Sequence, residues 1–154
     1  MALVCEARHP NGTLIYTESP LTASEKKFIF PTVCIVRILS GTGVWQIGSE
    51  RCAIRQGDYV FLSNIEPRRV VSADDALRIA TFSFPAAQMS AMGASECLRV
   101  FYGRNPAFSH TLRAPELNEF FDAIQTEMTR SAPTACLAAA YAVTLLVHAA
   151  RVYD

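Results

Sequence analysis

From Leu3 to about Phe84 the apolar residues come in short runs: LVCEA, TLIYT, KFIF, VCIVRIL, VWQIG, CAI, YVFL, RVVS and LRIATFSF. Gly, Pro, Asn, Asp and Ser separate them. Runs rich in Val, Ile, Tyr and Phe between turn residues read as strands, and so many at close spacing predict a sandwich or barrel. From Pro85 onward the period changes. In APELNEFFDAIQTEM, residues Leu117, Phe120, Phe121, Ile124 and Met128 recur at helical spacing, with Pro115 suited to a first turn. A second helix is expected from near Pro133, after Ser131, through Leu137, Tyr141, Leu145, His148 and Val152. Between the two blocks, residues 85–110 predict a short helix or two and then a loop around Gly103-Arg104-Asn105-Pro106. The expected division is a barrel over 1–84 and a helical segment over 85–154, forming one compact unit.

Length and charge narrow the function. A chain of 154 residues with 51% hydrophobic content can bury one core and is short for two. Lys+Arg and Asp+Glu both number 14, so the electrostatic attraction that dominates nucleic-acid affinity is missing, and this chain alone is not expected to bind DNA. The longest nearly apolar run, Ala135 to Ala150, is shorter than the roughly 20 residues that span a bilayer, which predicts a buried or partner-facing helix.

Five cysteines (Cys5, Cys34, Cys52, Cys97, Cys136) are dispersed, odd in number and free of any C-x-x-C pair. They suggest reduced thiols and a cytoplasmic location rather than a disulfide framework or a zinc motif. No basic segment followed by an apolar stretch opens the chain. Asn11-Gly12-Thr13 fits a glycosylation acceptor, but Asn-Gly between two strand-like runs is read as a hairpin turn.

The run from Phe28 to Arg68 resembles the two core motifs of the cupin barrel. The first motif, H-x-H followed by a glutamate and a closing glycine, falls on FIFPTVCIVRILSG. Phe28 and Phe30 take the histidine positions, Cys34 the glutamate position and Gly41 the glycine. The second, G-x5-P-x-G-x2-H, falls on GDYVFLSNIEPR with Gly57 retained, Ser63 and Ile65 replacing proline and glycine, and Arg68 in the metal histidine's place. Two phenyl rings and a guanidinium supply no donors for a divalent ion, so the overlay expects no metal at those positions and no cofactor. A barrel followed by two helices is similar, more narrowly, to the N-terminal effector-binding and dimerisation domain of AraC-type transcription regulators, whose recurrent core matches ILSGTG and RQGDYVFLSNIEP here. Members of that family carry a C-terminal pair of helix-turn-helix motifs, so the chain is read as an excised regulatory domain or a stand-alone relative.

The resemblance implies a jelly-roll barrel with inward-facing Phe28, Phe30, Cys34, Val36 and Ile38. Such an interior either admits a small effector or is filled by side chains. Trp45 and Tyr59 are candidate lining aromatics, with plain packing as the alternative. Arg68 would pair a ligand carboxylate if it faces the cavity. Beside Arg69, it reads equally as part of a solvated loop, the commoner fate of arginine. His9, His110 and His148 stand near no nucleophile pattern, and Asp74-Asp75 is explained by a turn. Glu116, Glu119, Asp122 and Glu127 are assigned to the polar face of the first long helix.

The expected function is therefore non-enzymatic: a sensor whose second helix forms a homodimer through Tyr141, Leu145, Leu146 and His148, responding to a small effector or a regulatory protein, with no membrane partner. A metal-independent cupin isomerase or epimerase is the rival, and it needs an acid or base that the inward positions do not offer. A third reading is a filled barrel acting only through a protein partner.

Overall fold

The protein is described by a computed structural model covering residues 2–102 and 110–153. The loop expected around Gly103-Arg104-Asn105-Pro106 lies outside these residues. Eight strands open the chain: β1 (Leu3–His9), β2 (Gly12–Pro20), β3 (Val33–Ser40), β4 (Thr42–Ile47), β5 (Glu50–Arg55), β6 (Tyr59–Leu62), β7 (Arg68–Ala73) and β8 (Arg78–Phe84). Short helices α1 (Ala87–Ala91) and α2 (Arg99–Tyr102) follow, then a two-residue strand β9 (Thr111–Leu112) and the long helices α3 (Asn118–Met128) and α4 (Ala135–Tyr153).

The pairings are antiparallel. One sheet has the order β1-β2-β8-β3-β6-β9 and the other β5-β4-β7. They face each other as a jelly-roll-like barrel, and the helices cover the outside of the larger sheet. Three layers result, and the middle one is buried on both faces. That is why VCIVRILS and YVFL read as nearly continuous apolar runs rather than as alternating ones. From β3, Cys34, Val36 and Ile38 face the small sheet, while Val33 and Ile35 face the helices.

Several local details differ from the sequence expectation. The KFIF run is not a strand. Residues 21–28 run beside β7 and the loop after it, held by Leu21 N–H to Leu77 O, Ser24 N–H to Val70 O and a two-bond Phe28–Arg68 bridge. The first hairpin turns on Pro10-Asn11, one residue earlier than expected, and Gly12 begins β2. β9 returns from the helical half to pair with β6, so the barrel's edge is completed by residues beyond Phe84.

The Gly57-Asp58 pair has a structural purpose. Gly57 adopts φ +93°, and Asp58 accepts the Arg55 N–H at 3.0 Å, closing the turn between β5 and β6. Gly41, at φ +79°, turns between β3 and β4, where a Cβ would stand 2.4 Å from Leu77 N.

The α3 packing follows the predicted stripe. Phe121 lies between Tyr16 (centroids 6.2 Å) and Tyr59 (5.9 Å), with Ile124 and Met128 buried beside it. Glu127, assigned to the polar face, is instead buried, because its carboxylate accepts the Thr134 N–H at 2.9 Å as the chain enters α4. Asp122 stays on the surface and pairs Arg37 at 2.7 Å. In the loop after β7, Asp74 accepts from Thr42 N–H, Thr42 O–H and Ala76 N–H, as a turn-forming aspartate should.

Candidate functional site

The cupin overlay brings its four positions together at one end of the barrel. Arg68 begins β7 and exchanges both main-chain hydrogen bonds with Phe28, at 2.8 and 2.9 Å. Arg68 as a whole is only 6% exposed, contrary to the solvated-loop reading. Its Nη2 points at Cys34 Sγ (3.6 Å), Nη1 at Ser63 O (3.4 Å), and the guanidinium carbon lies 4.5 Å from the centre of the Phe30 ring. Among the described residues no carboxylate forms an ion pair with Arg68. Burial lowers its pKa, offset in part by Cys34.

Phe28 and Phe30 do not line the interior. They stack on each other at 6.2 Å and are 47% and 45% exposed. The cause is the strand that never forms: one bridge, Phe28–Arg68, holds the backbone at the rim, and Pro31 precedes β3 outside the sheet. Phe30 covers Arg68, and with the neighbouring Ile29, and Ile65 in the loop that leads to Arg68, these exposed apolar side chains form a lip at this end of the barrel.

Behind the lip the barrel is packed with its own side chains. Cys34, Val36, Ile38, Trp45, Ile47, Cys52, Ile54, Val60, Leu62, Val70, Leu77 and Ile79 form one buried cluster. Trp45 packs inside this cluster, the plain-packing alternative. Tyr59 does not, because β6 alternates: Val60 and Leu62 enter the barrel, whereas Tyr59 and Phe61 face the helices. Tyr59 donates its hydroxyl to Asn118 Oδ1 at 2.7 Å, and burial pushes its pKa up to about 12. A depression of about 680 Å³ lined by Val44, Ala53, Arg55, Ser72 and Asp74 lies at the opposite end, on the outer side of the small sheet.

The same end as Arg68 holds a second polar group that sequence reading left without a role. Ile47 pairs with Glu50 on one side and Arg68 on the other, so those three side chains share a row, and Trp45 places Cys52 in the next row. His110, buried at the entry to β9, comes against them. Its Nδ1 is 3.6 Å from Glu50 Oε2 and its Nε2 is 3.0 Å from Glu66 Oε1. Ligand atoms of Glu50, Cys52 and His110 lie within 4.8 Å of one another. Hydrogen bonding to the Cys52 thiol raises the His110 pKa, as Glu66 does, against the opposing effect of burial. The only local signal was Glu50-x-Cys52, two donors on one face of a strand. His110 follows some sixty residues later and is joined to them only by the fold.

At α4 the expected dimer residues divide. Leu145 and Leu146 are fully buried inside the protomer with Ala138, Ala139, Ala142 and Ala149, so they are not partner-facing knobs. The alanines let α4 approach α3 closely, and its wide apolar surface goes first to its own chain. Tyr141 and His148 are part-exposed, and the His148 ring stacks on Phe120 at 4.7 Å. The outward stripe is Leu137, Tyr141, Thr144 and His148. By length and composition Ala135–Val152 passes for a membrane span, yet it is seated here as a core helix of a β-rich domain.

Barrel, covering helices and packed interior define a cupin-type jelly roll. The solved structures similar to it include cupin proteins and an AraC-like activator. The AraC-like transcriptional activator CuxR matches at TM-score 0.62 and 12% identity over 95% of this chain and 55% of that one, which shows a shared fold that includes the helices. A cupin protein from Bacteroides fragilis matches at TM-score 0.40 and 21% identity over 48% of this chain and 65% of its own. Vicilin from Corylus avellana matches at TM-score 0.39 and 15% identity over 47% of this chain and 22% of its own. The chain spans about two thirds or less of the length of these proteins. No family model and no curated protein sequence matches it.

Proposed function

We propose that the chain is the regulatory domain of an AraC-type transcription regulator, in which the Arg68 end of the barrel receives a signal and the helical layer pairs with a second copy. The observation that carries this reading is the shared fold with an AraC-like activator over 95% of the chain, helices included. Supporting it, α4 satisfies its own core with one face and keeps Leu137, Tyr141, Thr144 and His148 on another, beside Phe120. DNA binding belongs to a separate domain, consistent with zero formal net charge here. The setting is the cytoplasm, where five free thiols remain reduced.

On this reading the protein is not an enzyme. Its packed interior is apolar apart from thiols, and its signal is taken at the rim. A small anion would seat on Arg68, whose present partners are a carbonyl oxygen and a thiol. The exposed lip of Phe28, Ile29, Phe30 and Ile65 favours a second reading, in which a regulatory protein docks over a filled barrel.

The test is a fusion of the chain to a DNA-binding domain that represses its operator only as a dimer. Repression restored by the fusion is expected. A folded, well-expressed fusion that leaves the operator unrepressed counts against the proposal.

A further inference from the structure

We propose that Glu50, Cys52 and His110 form a divalent-cation site of the zinc class at the rim of the barrel, displaced from the cupin metal positions that Phe28, Phe30, Cys34 and Arg68 occupy. The donor set is a carboxylate, a thiol and an imidazole, the combination that suits borderline-soft ions and not magnesium or calcium. The geometry is close to what such an ion needs. Tetrahedral zinc holds sulfur at about 2.3 Å and nitrogen or oxygen at about 2.0 Å, which sets its ligands roughly 3.5 Å apart. Here the three donor atoms already lie within 4.8 Å of one another, and Glu50 Oε2 is 3.6 Å from His110 Nδ1. A shift of about 1 Å in the donor atoms brings them to ligand spacing, and Glu50, half-buried at the start of β5, is the one of the three nearest solvent.

The surroundings are those of a ligating histidine. With Nδ1 turned to the ion, Nε2–H donates to Glu66 Oε1 at 3.0 Å, so a carboxylate selects the tautomer and orients the ring. Cys52 and His110 are each 6% exposed, so the thiol and the imidazole are shielded from bulk water.

The site has a mechanical consequence. Glu50 and Cys52 belong to the edge strand of the small sheet, whereas His110 leads into the edge strand of the large one. An ion held by both would pin the two sheets together at the Arg68 end, which makes the rim's stability dependent on metal.

The experiment is calorimetric titration of the reduced, chelator-treated 154-residue chain with zinc chloride, repeated with Glu50→Gln, Cys52→Ser and His110→Ala. Cys34→Ser and Cys136→Ser serve as controls. One equivalent is expected to bind and to raise the melting temperature. Each of the three variants should weaken binding by about tenfold or more, and the controls should not. Cobalt titration gives an independent readout, a thiolate-to-metal charge-transfer band present in the parent and absent in Cys52→Ser. If Cys52→Ser does not fold, the band in the parent together with the Glu50→Gln and His110→Ala affinities decides. The proposal is overturned by substoichiometric binding, by affinity unchanged in Glu50→Gln and His110→Ala, or by binding that disappears in a control instead.

Discussion

The guanidinium of Arg68 is roofed by the Phe30 ring, 4.5 Å from guanidinium carbon to ring centre, and no carboxylate ion pair accompanies it among the described residues. A buried cation satisfied by an aromatic face, a thiol and one carbonyl is held more weakly than one in a bidentate ion pair.

Arg68→Met should therefore leave the melting temperature unchanged or raise it, because an apolar side chain of similar length removes an unpaired charge from a packed rim. In the same variant, binding of a small aromatic carboxylate such as benzoate, followed by NMR shift changes, should fall by several-fold or more, since charge-assisted bonds contribute roughly 1.5 to 3 kcal/mol. Unchanged benzoate affinity would remove Arg68 from the signal site.

Self-association should respond to the outward face of α4 and not to its buried one. Leu137→Glu and Thr144→Glu are expected to convert a sedimenting dimer to monomer with the fold retained by circular dichroism. Leu145→Asp should unfold the protomer outright, as a charge placed among Ala142, Leu146 and Ala149 has no partner. A dimer indifferent to Leu137→Glu and Thr144→Glu would place the interface elsewhere.

Phe121→Ala should cost about 3 to 5 kcal/mol in denaturant unfolding, the usual range for emptying an aromatic site. Its ring fills the space between Tyr16 and Tyr59 and ties α3 to the sheet. Asp122→Asn, on the neighbouring position, breaks a surface ion pair with Arg37 and should cost less than about 1 kcal/mol.

Alkaline stability follows from the two buried phenols. Burial raises Tyr59 to about 12, and burial with the hydrogen bond to Glu18 raises Tyr16 as well. An unfolded tyrosine ionises near 10, so the neutral phenols' contribution is complete below about pH 10 and is lost as pH rises toward 12. Absorbance titration should show both phenolates forming with unfolding rather than before it. Tyr59→Phe should shift that alkaline transition upward, while at neutral pH it costs about 1 kcal/mol by leaving Asn118 Oδ1 without its donor.

Much of this architecture was legible in the chain. The runs between turn residues became eight strands, the glycines at 41 and 57 took the positive φ that their turns require, and the stripe from Leu117 to Met128 became the buried side of a helix. Motif spacing even placed Phe28, Cys34 and Arg68 at one end of the barrel, because a strand register, once set by its turns, brings fixed positions side by side. Periodicity assigns residues to alternate faces, but it does not say what covers each face. For that reason Tyr59 fell under the helices and not into the barrel, and Leu145 and Leu146 went to their own core and not to a partner. Glu127 was drawn inside by a main-chain donor seven residues away. The meeting of Glu50 and Cys52 with His110 depends on folding the β9 segment back onto the edge of β6. That is a contact of high sequence separation, which no local pattern encodes and only the assembled sheets create.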